Sequence, residues 1–242
     1  MQEGYSPGVA GFVLPLLRPG MRVLDAGCGS GAITLGLEAA TRGVRLLGVD
    51  RALGETAPAA PDSSTVDFLA AAADSLPFPA DSMDVVFAHA LLERVADPAA
   101  VLGEFGRVLR PGGALALSTS DWSRARIRPR TANVDAALRG YQLLRRRDGG
   151  NPFAGRRVAE QVQRAGFTDV RSRTRYLPDR DYRELGRAVE AELAVALESA
   201  GSDRALLASA ARSAWVWARG GGGEFSQCWV EILATSPVAS PT

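Results

Sequence analysis

Short unbroken apolar runs alternate with helically spaced apolar positions through the first half of the chain. The runs at 21–27 (MRVLDAG), 44–50 (VRLLGVD), 82–90 (SMDVVFAHA) and 114–120 (ALALSTS) predict strands, and 64–76 (STVDFLAAAADSL) carries one more. Residues 31–43 (GAITLGLEAATRG) and 98–113 (PAAVLGEFGRVLRPGG) predict helices, the first closed by Gly43 and the second stopped by Pro111 and the two glycines after it. Between 51 and 64, Pro58 and Pro61 leave at most a stunted helix. Strands that alternate with helices in this way predict an α/β fold, a parallel sheet covered on both faces.

The second half follows a looser pattern. Residues 120–153 predict an arginine-rich loop and then a helix over 134–147, and 155–176 (GRRVAEQVQRAGFTDVRSRTRY) a helix, a turn at Gly166 and a sixth strand. Residues 180–218 have Ala, Leu and Glu at helical spacing almost throughout. Four glycines at 220–223 break the chain before a final strand in 225–234 (FSQCWVEILA), and no internal repeat is present.

Length and charge narrow this picture. With 242 residues, 46% of them apolar, the chain can bury one sizeable core, so a single domain over 1–235 with a disordered tail at 236–242 is expected. A formal charge of +1 gives no reason to expect nucleic acid or a membrane as partner. Cys28 and Cys228 lie far apart, which indicates neither a disulfide framework nor a zinc cluster. With no signal-peptide pattern and no membrane-length apolar run, the expectation is a reduced, cytoplasmic protein. Nothing in the sequence fixes an oligomeric state.

The chemistry starts at VLDAGCGSGAIT, residues 23–34, where Gly27, Gly29 and Gly31 alternate between a strand and a helix. Such glycines let backbone pass close to a ligand, and the helix N-terminus offers N–H groups to it. Asp50, ending the next strand, is placed to accept hydrogen bonds from both hydroxyls of a ribose. Together they predict an adenosine-containing cofactor. The loop does not say which one, because Gly27, Gly29 and Ala32 also fit a dinucleotide pattern.

Residues 71–117 separate the candidates. Asp74, Leu76, Pro77 and Phe78 are followed by DVV at 84–86, and then by Asp97, Pro98, Leu102, Glu104, Arg107, Val108, Leu109, Pro111, Gly112 and Gly113. This segment resembles the core of the class I S-adenosylmethionine-dependent methyltransferases, in particular their small-molecule group, with Met83 where a Phe is usual. The likeness runs from about residue 21 to 120 and resumes more loosely at 155–170. It implies a Rossmann-like fold with a mostly parallel seven-stranded sheet, a cofactor-binding core over about 20–120, and insertions at 120–153 and 180–218 that cap a small-molecule substrate. Its cofactor is S-adenosylmethionine. Carried over by position, Asp25, Gly27 and Gly29 face the methionine end, Asp50 the ribose, Arg51 the adenine, and Asp74 with Ser75 the adenine edge. Ala88 joins this set, and Tyr5 is the candidate contact from an N-terminal segment that closes over the methionine end, with an ordinary surface turn at Ser6 and Pro7 and a packing helix the alternative. The reaction implied is methyl transfer to an oxygen or nitrogen of a small metabolite, natural-product intermediates included, without a metal. A dinucleotide oxidoreductase, or a protein that keeps the fold without moving methyl, are the alternatives.

Further residues are singled out by type and place. His89, the only histidine, follows a strand at the end where such sheets bind ligands, and is the candidate general base or substrate contact, with capping the strand end or shaping the cofactor pocket the alternative. Glu93 and Arg94 read as a solvated or structural pair on a short helix, with substrate contact the alternative. Trp122 and Tyr141, in the first insertion, are candidate substrate contacts, with core packing the alternative. The alternating Arg124, Arg126, Arg128 and Arg130 read as solvated loop charge, and Trp215 and Trp217 as packing for the last helix.

Overall fold

The computed structural model describes residues 7–53, 63–178, 180–199 and 201–237. Five parallel strands carry the first half of the chain: β1 (Arg22–Ala26), β2 (Arg45–Asp50), β3 (Asp67–Ala70), β4 (Met83–His89) and β5 (Leu109–Ser120). Their order is β3-β2-β1-β4-β5, so the chain first builds outward from β1 and then restarts on its other side with β4. Ligands of open α/β sheets bind where the strand order reverses, at the carboxyl ends of the strands. Here that point lies between β1 and β4. β8 (Glu224–Thr235) then joins β5 antiparallel, and both β7 (Thr168–Leu177) and the short β6 (Arg126–Arg128) pair antiparallel with β8.

Helices cover both faces. Leu24, Val86 and Leu115 of the sheet share a core with Leu102 and Phe105 of α3 (Pro98–Val108) and with Val158 and Val162 of α5 (Val158–Arg164). On the other face Val23, Phe87 and Ala116 pack with Leu37 of α2 (Ala32–Ala40) and with Ala10, Val13 and Leu17 of the N-terminal segment that begins with α1 (Pro7–Ala10). Strands sandwiched in this way bury nearly every side chain, which is why their sequences show apolar runs rather than alternation. α3 starts where Asp97 accepts hydrogen bonds from the Ala99 and Ala100 N–H groups, with Pro98 as its first residue.

A separate apolar cluster belongs to the second half. α4 (Ala132–Arg147), α6 (Tyr182–Ala196) and α7 (Arg204–Arg219) bury Leu138, Tyr141, Leu185, Leu193, Leu207 and Trp217 together with Ile127 and Phe225 of the two short paired strand ends. Gly140 and Gly186 lack the side chains that would collide with Ala210 and Ala218, so α7 approaches both neighbours closely.

Several expectations change. Among the described residues the sheet has eight strands, because three residues of the expected arginine loop, Arg126–Arg128, pair with Glu224–Ser226. The helix before β5 ends at Val108, ahead of Pro111, and the chain enters the strand at Leu109. Ser236, placed in the expected tail, is buried and exchanges backbone hydrogen bonds with Gly112 and Gly113 at 3.1 and 2.8 Å. Trp217 is buried as expected, whereas Trp215 is half-exposed, with the Arg219 guanidinium over its ring. Residues 238–242, and 54–62 with both prolines of the stunted helix, lie outside the described residues.

Candidate cofactor and acceptor site

The glycine loop leaves β1 and is tied to the end of β2. The Gly27 and Cys28 N–H groups both donate to the Val49 carbonyl, at 2.7 and 3.0 Å, and the Gly29 N–H donates to Asp50 Oδ2 at 2.9 Å. Gly27, Gly29 and Gly31 have φ of 76°, 54° and 74°, the left-handed region that side chains oppose, so the alternation of glycines is a backbone requirement. The loop then turns into the N-terminus of α2. Nothing lies within 4 Å of where a Gly29 side chain would start, which leaves that backbone open to a ligand. Asp50 accepts a second backbone hydrogen bond from Ala52 at 2.9 Å, so its carboxylate shapes the loop as well as ending the strand.

Asp25 stands near the end of β1, just before this loop, 2% exposed. The Thr34 hydroxyl in the first turn of α2 donates to its Oδ2 at 2.6 Å. Burial raises its carboxyl to about 7 against the relief from Thr34, and the Asp50 charge pushes the same way. A carboxylate held this uncomfortably is stabilised by a cation. The amino-acid head of S-adenosylmethionine carries an ammonium, whereas a dinucleotide would bring a diphosphate, so the donor set fits the former.

Asp74 and Ser75 lie exposed on the loop after β3, and Arg51 is exposed after β2. α3 holds the loop after β3 in place. Glu104 accepts the Leu76 N–H at 2.9 Å, while Arg107 donates to the Phe78 carbonyl at 2.8 Å and the Leu76 carbonyl at 3.1 Å. The two separated motif blocks of the sequence are therefore one hydrogen-bonded unit. The side chain of Ala88 lies in the core under α3. Tyr5 lies outside the described residues.

His89 ends β4 and pairs in register with Ser118 of β5, which pairs with Glu231 of β8; two residues along β5, Ser120 pairs with Trp229. Residues directly opposite in a sheet share a face. The His89 ring accordingly lies on Trp229, 4.3 Å between centroids. Beyond it, Ala90 adopts φ of 54°, a conformation uncommon for a residue with a side chain, and its N–H donates to the Ser118 carbonyl at 2.9 Å. Leu91 then packs over Gly27, where a side chain would meet Leu91 Cδ1 at 2.9 Å. The β4 end and the glycine loop thus close on each other.

Glu93 differs from its expectation. The chain there is a turn rather than a helix, and the carboxyl is buried instead of solvated, with the Ser120 N–H donating to Oε1 at 3.3 Å. The first insertion helps to cover it, since the Asn151 N–H donates to the Glu93 carbonyl at 2.8 Å. Trp122 and Tyr141 meet each other, rings 5.2 Å apart, and Trp122 also stacks on Phe225 at 6.0 Å. Tyr141 is buried, while Trp122 is only partly so. Arg126 lies over the Tyr176 ring at 3.6 Å, and Arg130 pairs with Asp135, so the arginine run is partly engaged rather than loose. Thr34, Glu104, Arg107 and Trp229 join the site without having been expected there.

Residues 24–117 match the family model described as a methyltransferase domain. Over these residues the chain is similar to the class I S-adenosylmethionine-dependent methyltransferases. It is similar to the demethylmenaquinone methyltransferase of Renibacterium salmoninarum, 32% identical over 146 residues that cover 60% of each chain. The chain therefore spans about three fifths of that relative's length. Among solved structures, the YcgJ protein of Bacillus subtilis superimposes with a TM-score of 0.63 at 17% identity, covering 97% of this chain and all of that one. The [4+2]-cyclase SpnF has a TM-score of 0.58 at 22% identity, covering 96% of this chain and 81% of that chain. These two likenesses establish a shared fold. Among the described residues, no group of three or more His, Cys, Asp or Glu side chains is arranged to hold a metal. No helix among them is long and apolar enough to cross a membrane.

Proposed function

We propose that this chain is an S-adenosylmethionine-dependent methyltransferase that methylates an oxygen or nitrogen of a small metabolite. The observation that carries the reading is Asp25, a buried carboxyl beside the glycine loop whose pKa is raised to about 7, a position that favours a cation. Asp25 would hold the ammonium of the methionine end, with Thr34 orienting its second oxygen. Gly27 and Gly29 bring backbone to the same end, and Asp50 accepts from the ribose while its Gly29 bond keeps the loop shut. Arg51, Asp74 and Ser75 address the adenine. The bound cofactor supplies a methyl group already activated on a sulfonium, so the protein's task is to align the acceptor behind it and exclude water, which can contribute ~7–11 kcal/mol. His89 takes the proton that the acceptor hydroxyl or amine releases. The helices of residues 120–153 and 180–218 form the wall on the acceptor side, in a chain whose near-neutral charge suits a small molecule better than nucleic acid.

Calorimetric titration with S-adenosylmethionine, S-adenosylhomocysteine and NAD tests the cofactor. The first two should bind in the micromolar range and NAD should not. Asp50→Ala should weaken the first two by ~1.5–3 kcal/mol, the usual size for a hydrogen bond to a charged group. Preferential binding of NAD would overturn the reading. SpnF shares the fold and is named a cyclase, so methyl transfer needs its own measurement. Metabolite mixtures incubated with a methyl-labelled cofactor should yield a labelled product by mass spectrometry.

A further inference from the structure

Glu93 is 8% exposed, and its two carboxyl oxygens are treated unequally. Oε1 takes the Ser120 N–H, whereas Oε2 is fully buried and has no hydrogen-bond partner among the described residues. Leaving such an oxygen without a donor is costly, so buried acceptors are almost always satisfied by protein, water or ligand. The surroundings say where a donor would come from. Ser120 ends β5 beside Trp229, the residue that carries the His89 ring, and Glu93 itself lies in the turn that follows His89 and Leu91. The insertion closes over the same turn: a side chain on Gly150 would sit 2.5 Å from the Glu93 carbonyl, and one on Gly149 would sit 3.0 Å from Ala96 Cβ. Glu93 is thus enclosed between the carboxyl ends of β4 and β5 and the loop that leads from α4, the border between the cofactor half and the acceptor wall. One residue beyond Ser120, Asp121 is fully buried and also leaves an oxygen, Oδ2, without a partner among the described residues.

We propose that the Glu93 carboxyl is a specificity-determining anchor of the acceptor pocket, selecting acceptors that present an N–H or O–H donor, an amine or a hydroxyl, over acceptors that present a carboxylate. The inference rests on the methyltransferase reading and narrows its substrate class. A carboxylate brought to this place would add a second acceptor and a like charge to an already desolvated acid, while a donor relieves it. Burial raises the Glu93 carboxyl, opposed by hydrogen bonds from backbone and from the Ser120 side chain and by the Arg94 charge.

The test loads the full chain with S-adenosylhomocysteine and titrates it with three probes, propylamine, catechol and malonate, following the indole resonances by NMR. Propylamine or catechol should bind at least tenfold more tightly than malonate. Glu93→Gln, nearly isosteric, should weaken the preferred probe about tenfold and leave S-adenosylhomocysteine affinity unchanged. Malonate binding equal to or tighter than the others, no binding of either donor-bearing probe, or unchanged binding in a folded Glu93→Gln protein overturns the proposal. The comparison among probes needs no variant, so it stands even where Glu93→Gln does not fold. Failure of S-adenosylhomocysteine itself to bind is a separate outcome that overturns the methyltransferase reading and this inference with it.

Discussion

The imidazole of His89 lies on the indole of Trp229, centroids 4.3 Å apart and planes 35° from parallel. The two residues come from strands that do not touch, and β5 between them sets the offset: His89 is opposite Ser118, and Trp229 is opposite Ser120. Trp229 therefore acts as a wall that restricts how the imidazole can turn. If His89 is the base, His89→Gln should lower turnover by roughly 10²–10⁴ with little change in cofactor affinity. Trp229→Leu should also lower turnover, by less, because the base remains but its orientation loosens. Loss of cofactor binding in His89→Gln, with turnover intact at saturating cofactor, would place the residue in the cofactor wall instead.

Asp25 couples stability to pH in the opposite sense to most buried acids that have charged partners. Its folded carboxyl titrates at about 7 against 3.8 for the ordinary side chain, so between these values the folded protein keeps a proton that the unfolded chain has released. Stability contributed by this group is full below about pH 4, falls as pH rises toward 7, and is flat above that. Asp25→Asn removes the titration and can still accept from Thr34. The variant should match wild type in denaturant melts at pH 4 and exceed it at pH 8, by between about 1 and 4 kcal/mol, since each tenfold change in proton affinity is worth ~1.4 kcal/mol. Cofactor affinity should move the other way, weaker in the variant and rising with pH in wild type, as the ammonium favours the ionised acid. A variant no more stable at pH 8 would mean that the carboxyl is not strained by its burial.

The parallel half of this fold is legible because each strand is covered on both faces and reads as an apolar run. The glycine loop is legible because three left-handed backbone positions leave little choice of residue. β6 also has a sequence signal, one that the density of charge conceals: Arg124, Arg126, Arg128 and Arg130 alternate with Ala125 and Ile127, the period of a strand, and Ile127 is buried between exposed arginines. Glu93 has no such signal. Its neighbour Arg94 makes it look like a surface pair, and its burial depends on Ser120 and Asn151, residues distant in sequence that only the folded chain brings to it. The roles of Glu104 and Arg107 are hidden for the same reason, although their presence in the motif marks them. Trp215 and Trp217 look alike in sequence, but a helix turns about 200° in two residues, so only one can face the core.

Ala90 carries a cost that glycine would remove. At φ of 54° an alanine is strained by about 1 kcal/mol, offset in a glycine variant by the greater freedom of the unfolded chain. Ala90→Gly should therefore be neutral to slightly stabilising in thermal melts, within about 1 kcal/mol, where most substitutions in a buried turn destabilise. Because Ala90 sets the direction in which His89 and Leu91 leave the strand, turnover should fall while stability does not. Clear destabilisation would show that the alanine methyl is packed rather than strained.

Trp122 and Tyr141 touch, yet their surroundings assign them different work. Tyr141 is buried among the helices of the insertion, and its hydroxyl accepts from Arg145 at 2.7 Å, which also pairs with Glu192 at 2.9 Å. Tyr141→Ala removes a ring from the centre of that cluster and should cost ~3–5 kcal/mol. Tyr141→Phe removes only the acceptor for an arginine that keeps its glutamate, and should cost ~0.5–1.5 kcal/mol. Trp122 is partly exposed and lies where the chain leaves β5, its N–H bonded to the Pro152 carbonyl at 3.0 Å, at the seam between the sheet and the insertion. Trp122→Leu keeps an apolar filler against Tyr141 and Phe225 but loses the broad ring. It should therefore change which labelled products form from a metabolite mixture, with a smaller stability loss than Tyr141→Ala and unchanged cofactor affinity. Thermal melts of the variants beside their product profiles decide the matter. If Trp122→Leu destabilises as much as Tyr141→Ala and leaves the product profile as it was, both rings belong to the insertion's core and acceptor selection lies elsewhere on that wall.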